Sequence, residues 1–533
     1  MIFTRTFTVD KKYLAFPVTP MYKQTHNFLS LYEGEELLYE VFLDIDLESP
    51  GFYAFCDIER FHGREITACA EGDNLDERIL PYLLPSATYP GEENLYREPG
   101  RSHLHFSPAR GYASDPNGLF YYDGVYHMFY QHDPFNLGFV DWKDHVNFGW
   151  GHAVSTDLIH WKELPDALLP DERGPIFSGT GLVDLKNESG LQRGEHPPII
   201  LYYTAAGGQA RRSRHLQHEQ CIAISEDGGK TFTKYKNNPI VPFRSPGNRD
   251  PKVFFHPVLK QWMMVVYTDV GEKYLVYTSR DLLHFDYICD LKWDNMECPD
   301  LLYLNIEEEP NQKAMVLWGA NGSYVVVDFD GQQFYPLAAP RKLQSAFLYT
   351  CAQTFNNAPD GRCIQMAVYR MESGRVANGC MTIPHDLRLH EEKNGEYWLE
   401  AVPTENLRIL RTYTQEWSDV DTPDSVELPS SALADIEMCL PLQDTTFTTH
   451  GILWKMDQAK RTLTLNGETI PLAYSDRLEL RVILDSCCAQ IYEPNNRIFA
   501  EFGYEAQQST VRFLSGVKAE RIRIHHLKSI WER

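Results

Sequence analysis

Three acidic residues stand in short polar clusters, each of which opens an apolar run. They are Asp115 in Ser114-Asp115-Pro116-Asn117-Gly118, Asp250 in Asn248-Arg249-Asp250-Pro251, and Glu297 in Glu297-Cys298-Pro299-Asp300. A fourth cluster, Phe177-Ser178-Gly179-Thr180-Gly181, has the same setting without a carboxylate. If the fold brings the three carboxyls together, each raises its neighbours' pKa and one tends to stay protonated. An ionised carboxylate beside a protonated one is what glycosidic bond cleavage requires: one attacks, the other supplies a proton. Taken singly, the motifs are turn signals; Asp-Pro recurs at Asp133-Pro134. Their order along the chain gives them meaning.

That order is set by a repeat. Ser155-Thr156-Asp157-Leu158-Ile159-His160-Trp161 resembles Ser279-Arg280-Asp281-Leu282-Leu283-His284-Phe285, and Ser225-Glu226-Asp227-Gly228-Gly229-Lys230-Thr231-Phe232 is a related unit between them. One polar cluster follows each unit, and Asp115 precedes the first. The surrounding sequence is short runs of Val, Ile, Tyr, Phe and Thr broken by Asp-Gly, Pro and Asn, as in 120–130 and 325–334. Strand-rich units repeating at this scale predict propeller blades, whose equivalent strands surround one axis and bring equivalent positions together. An all-β protein is expected: a small β-rich N-terminal module over 1–100, a five-bladed β-propeller over 101–395 and a C-terminal β-sandwich over 396–533. A Pro/Gly/Glu-rich stretch around 85–100 is expected to be a linker.

The chain's 533 residues suit two to four domains. Its 50 basic and 74 acidic residues give a net charge of −24, which argues against nucleic-acid binding, where cations must displace counterions. Aromatics make up 13%, suiting pleated sheets and stacking on flat, uncharged ligands such as sugars. No apolar run approaches the roughly 18 residues of a membrane span. The first residues lack a basic segment with an apolar core behind it, so a cytoplasmic location is expected. Eleven scattered cysteines without a C-x-x-C pair predict neither a disulfide framework nor a zinc site, and no metal or cofactor is expected. Gly229-Lys230-Thr231 resembles a phosphate-loop ending, but Ile224 stands where the first glycine belongs. Arg211-Arg212-Ser213-Arg214 is expected to be a solvated loop, with a phosphorylated leaving sugar as the competing reading. No H-E-x-x-H or G-x-S-x-G occurs, and the 19 histidines are read as structural.

With these motifs in order, the chain resembles glycoside hydrolase family 32, the invertase, inulinase and levanase family of β-fructofuranosidases. Ser114–Gly118 resembles the family's N-D-P-N-G motif, Arg249-Asp250-Pro251 its R-D-P and Glu297-Cys298-Pro299 its E-C-P. Residues 150–155 through Leu169-Pro170-Asp171 resemble its second blade. Gln353-Thr354-Phe355 and Met381-Thr382-Ile383-Pro384 resemble its last blade, and 485–492 a sandwich strand. The resemblance covers about 103 to the end; the first hundred residues resemble an extra module of some bacterial members. It implies that Asp115 is the nucleophile, Glu297 the acid/base and Asp250 the stabiliser gripping fructose hydroxyls, with Arg249 neutralising part of the cluster and keeping Asp115 ionised. Ser114, Asn117, Gln131, Phe177 and Ser178 are the implied fructose contacts; Trp142 matches the pocket tryptophan, across a longer interval to Trp150. The chain departs from the family in Tyr112-Ala113-Ser114, where Trp-Met-Asn is usual, and in Met296, where tryptophan is common. Serine has one hydroxyl for a two-headed amide, so one sugar hydrogen bond is missing or bridged by water.

The implied activity is retaining, exo-acting release of fructose from sucrose or short β-fructosides, with a small carbohydrate as the only partner besides a possible second copy. A fructosyltransferase, cyclising ones included, would use the same residues. A silent carbohydrate-binding protein is the reading from another class.

Overall fold

Asp123 and Gly124, with φ of 48° and 82°, turn the chain between the paired strands Gly111–Tyr122 and Val125–Asp133. A two-residue hairpin of this kind needs positive φ at both positions, which aspartate tolerates and glycine favours. The computed structural model describes residues 1–19, 27–138, 147–292, 297–346, 350–369, 377–504 and 509–532. Among them, strands dominate and the helical segments are short 3₁₀ turns.

Five antiparallel meanders follow one another. Their first strands are β1 (Gly111–Tyr122), β2 (Ile176–Val183), β3 (Arg249–His256), β4 (Asp300–Ile306) and β5 (Thr350–Thr354). These touch in cyclic order, and β5 returns to lie against β1. The ring is a five-bladed propeller with β1–β5 innermost. Ala377–Asn378 closes it by pairing in parallel with β1. The fourth and fifth meanders are joined into one sheet by a parallel bridge between Ile306 and Leu389. Every residue of β2 is buried, as expected of a strand covered on both faces.

The repeated Ser-x-Asp units end the third strands of the first three blades. In each, the serine hydroxyl meets an aspartate oxygen, at 3.1 Å (Ser155), 2.7 Å (Ser225) and 3.2 Å (Ser279). The aspartate in turn accepts backbone N–H groups of the following turn, such as Ile159 and His160 onto Asp157. The repeat is thus a side-chain-capped turn into the outermost strand. Residues 150–171, expected in the second blade, instead carry the third and fourth strands of the first. The last blade also runs past 395: His385–Glu391 pairs with Tyr397–Pro403 across the turn that contains it.

The C-terminal part is two six-stranded sheets facing one another. Trp454, Phe447 and Phe513 from one and Val482, Ile522 and Ile524 from the other share a core. The N-terminal part is a four-stranded sheet with a two-stranded ribbon, and its core includes Phe135 and Leu137 of the first blade. The 85–100 stretch is packed in place: Tyr89 is buried, and the Tyr96 ring lies 3.9 Å from that of Trp531.

The 211–214 loop departs from both expectations. Arg211 places nitrogens on Glu40 at 2.7 and 3.0 Å and on Glu71 at 2.7 Å, and its guanidinium stacks 3.8 Å above the Phe28 ring. Arg212 adds a further 2.7 Å bond to Glu40. The loop therefore clasps the N-terminal module to the second blade, and two of its arginines are already paired with carboxylates. The module also grips Asn147, whose side-chain oxygen accepts the Phe42 N–H at 2.8 Å.

Candidate active site

The innermost strands break their ladders at one level. The pairing of β1 shifts between Ala113 and Pro116, of β2 between Phe177 and Gly179, of β3 between Arg249 and Lys252, and of β5 between Thr350 and Gln353. Such bulges re-aim the residues within them, here Ser114, Asp115, Ser178, Asp250 and Cys351. Asp250 (φ 61°), Cys298 just before β4 (φ 53°) and Cys351 (φ 52°) all adopt the left-handed conformation that costs a non-glycine residue energy. Strain repeated at one level of successive blades marks where the fold is spent on aiming side chains.

Asp115 and Asp250 converge on one thiol. Cys298 Sγ lies 3.5 Å from Asp115 Oδ2 and 3.6 Å from Asp250 Oδ2, and the Cys298 N–H donates to Asp250 Oδ2 at 3.1 Å. The Asp115 carboxylate accepts from Ser114 Oγ (2.9 Å) on one oxygen and from Ser178 Oγ (3.2 Å) on the other. Gln131 Nε2 donates to Ser178 Oγ at 3.1 Å, extending the chain to the neighbouring strand. Asn117 turns back to the Asp115 carbonyl at 3.0 Å, while its oxygen accepts Gly179 N–H at 3.2 Å and thereby ties β1 to β2. Phe177 is buried beside Tyr112 and Phe148.

Glu297 enters through Arg249. The guanidinium sets Nε and Nη2 on Glu297 Oε2 at 3.0 and 2.7 Å, reaches Asp269 at 2.8 Å, and lies 3.7 Å from Asp250. It also stacks 4.8 Å above the Tyr267 ring. Arg249, implied to neutralise part of the cluster, grips Glu297 and lies beside Asp250.

Burial, with the Asp115 and Glu297 charges, pushes the Asp250 carboxyl up to about 7, against the pull of Arg249. Asp250 therefore keeps its proton to near neutrality. Arg249 stays charged despite its burial because carboxylates surround it. An Asp115 oxygen and the sulfurs of Cys298 and Cys351 lie within 4.8 Å of one another. The bond with Cys351, and burial, push the Cys298 thiol well above its ordinary range. A metal would need thiolate there, so this set suits a neutral packing role better than ligation.

Of the residues singled out in the sequence, Asp115, Asp250, Glu297, Ser114, Asn117, Gln131, Ser178 and Arg249 form this one network, with Phe177 on its wall. Trp142 and Met296 lie outside the described residues. The sequence did not single out Cys298, Thr204 (whose hydroxyl accepts the Asp250 N–H at 3.0 Å) or Asp269. Cys298 sits inside one of the three acidic motifs, so its place was legible; Thr204 and Asp269 carry no local signal. Asp300, which ends the motif that Glu297 opens, is structural: its carboxylate is buried against Lys252 at 2.6 Å and accepts both the N–H and hydroxyl of Thr354 at 2.8 Å.

Residues 105–400 match the model of the glycosyl hydrolases family 32 N-terminal domain. The chain is 30% identical to a levanase of Bacillus subtilis over 511 residues, covering 83% of this chain and 72% of that protein. It is 35% identical to an invertase of Schizosaccharomyces pombe over 281 residues, which is 47% of this chain and 46% of that one. Among solved structures, an exo-inulinase from Aspergillus awamori superimposes with a TM-score of 0.71 at 22% identity, over 82% of this chain and 100% of that chain, a likeness of fold.

Proposed function

This chain belongs to glycosyl hydrolase family 32 and is a glycoside hydrolase acting on β-fructosides; on that premise we propose that it removes single terminal fructose units from sucrose or short β-fructosides, with retention of configuration. In this reading Asp115 attacks the anomeric carbon while Glu297 protonates the departing oxygen. A water deprotonated by Glu297 then frees the sugar from the aspartyl ester. Asp250 and Arg249 read the fructose hydroxyls, and Asp250, strained and held by Thr204 and Cys298, is aimed before substrate arrives.

The observation that carries the proposal is the convergence of three carboxyls from three blades on Cys298 and Arg249. The serine pair on Asp115 supports the nucleophile's role, since two hydroxyl donors favour its ionised form. The exo reading is supported by likeness to an extracellular exo-inulinase of Aspergillus awamori, 33% identical over 299 residues. Charge-bearing, hydrogen-bonded walls make fructose recognition tight, and rejection of analogues lacking a hydroxyl should be strong.

Incubation with sucrose, inulin and levan, followed by chromatography, tests the reading. Free fructose released one unit at a time is the expected result. Longer or cyclic fructosides would make the chain a transferase, internal fragments of inulin would refute exo action, and unchanged sugars would favour a binding protein.

A further inference from the structure

A cavity of about 410 Å³ lies between the N-terminal module, the first blade and the chain's last residues. That falls within the roughly 300–1,000 Å³ of small-molecule sites. It sits behind the catalytic pocket, on the opposite face of the strand Val125–Asp133. Gln131 points to Ser178 in the pocket, while Tyr130 and His132 on either side of it point the other way, to Glu163 at 3.1 Å and Asp166 at 2.8 Å. The two spaces share a strand and not a wall.

Apart from the exposed Arg97 and Lys162, the charges around the cavity are already matched. Lys12 lies 3.5 Å from Asp57, His132 is paired with Asp166, and Arg110 reaches Glu98 at 3.0 Å. Glu163 is served by the hydroxyls of Tyr96 (2.8 Å) and Tyr130 and by the Ala109 N–H (2.8 Å). A charged ligand would find no free counter-charge among these groups.

Neutral polar atoms, in contrast, are left over. Tyr39 and Tyr89 line the cavity, are 1% and 4% exposed, and their hydroxyls make no hydrogen bond among the described residues. Asp166 Oδ2 likewise accepts none there, its other oxygen being taken by His132. A buried hydroxyl without a partner costs about 1–3 kcal/mol, so a ligand that met it would be favoured. The remaining lining is aromatic, including Tyr13 and Trp161. An apolar ligand would leave the hydroxyls unmet. A molecule with flat apolar faces and a rim of hydroxyls meets both demands.

We propose that this cavity is a second, non-catalytic site that takes one short neutral saccharide, held between the N-terminal module and the first blade. The test uses the full chain with Asp115→Asn, which holds sugars without turning them over, titrated with sucrose, glucose and fructose by calorimetry and saturation-transfer NMR. The expected result is two saccharides bound per chain. One should be weakened about five-fold by Tyr39→Phe, which removes a single oxygen, and abolished by Leu95→Trp, which fills the cavity. Neither change should alter sucrose hydrolysis in the chain that keeps Asp115. If Leu95→Trp does not fold, Tyr39→Phe alone decides. Binding that Tyr39→Phe leaves unchanged, whether of one saccharide per chain or two, overturns the proposal. Because binding is read directly, a chain that failed to hydrolyse fructosides would count against the catalytic reading and leave this test intact.

Discussion

Arg249 sets two nitrogens on a single oxygen of Glu297, at 3.0 and 2.7 Å, and so places a cation beside the proposed acid/base. The other Glu297 oxygen makes no hydrogen bond among the described residues. Arg249 also lowers the pKa of Asp250, and removing it must let that pKa climb further.

Arg249→Gln should therefore lower kcat/KM by about 10²-fold or more, the scale of deleting one electrostatic interaction with the transition state. Its acidic limb should move to higher pH, since Asp250 then ionises later. Arg249→Lys should restore the limb more than the rate, because lysine returns the charge without the fork. A limb that stays in place would show that Arg249 acts on binding alone.

Asp250 gives a pH-dependent stability of definite sign. Its folded value of about 7 lies above the ordinary 3.8, so its contribution is fully present at low pH and is lost as pH rises through about 7. Asp250→Asn should match the parent near pH 4 and exceed it by about 1–3 kcal/mol near pH 8. Glu501, raised by burial to about 7, loses stability in the same window and is common to both proteins. Melting curves across pH check this; equal gaps at both ends would contradict it.

Lys252 and Asp300 form a buried pair at 2.6 Å that ties β3 to β4, and Asp300 holds β5 through Thr354. Lys252→Met leaves the Asp300 charge uncompensated and should cost about 3–5 kcal/mol. Denaturant unfolding measures it. A cost of less than about 1 kcal/mol, the scale of an exposed pair, would show that the bridge is dispensable.

Arg211→Met should loosen the N-terminal module, because it removes the bonds to Glu40 and Glu71. Hydrogen bonds to charged groups stabilise by about 1.5–3 kcal/mol each. Faster proteolysis within the 85–100 stretch is the expected sign. Unchanged digestion would mean that the packing of Phe135 and Leu137 suffices to hold the module.

What the sequence made legible was local. Asp123-Gly124, the Ser-x-Asp turns and the polar clusters are short-range signals, and the fold places each at a turn or a bulge. The ring then follows from repetition. Pairings between distant residues were not legible: Arg211 and Glu40 lie 171 positions apart, and nothing near Arg211 says whether its charge meets a phosphate, solvent or a carboxylate. Arg249 was implied to sit in the carboxylate cluster, but that Glu297 is the carboxylate it grips was not legible, because a flexible side chain's partner depends on which strands lie beside it. The hairpin across 395 has a turn like any boundary loop, and only strand pairing reveals that the blade continues.

Methanolysis tests the central claim most directly. With sucrose as donor and methanol competing with water, a fructosyl group carried on Asp115 is displaced twice and must emerge as the β anomer. Methyl β-fructofuranoside is expected as the first-formed product by NMR, and it should disappear with Asp115→Asn. First-formed methyl α-fructofuranoside would mean a single displacement, and Asp115 would not be the nucleophile.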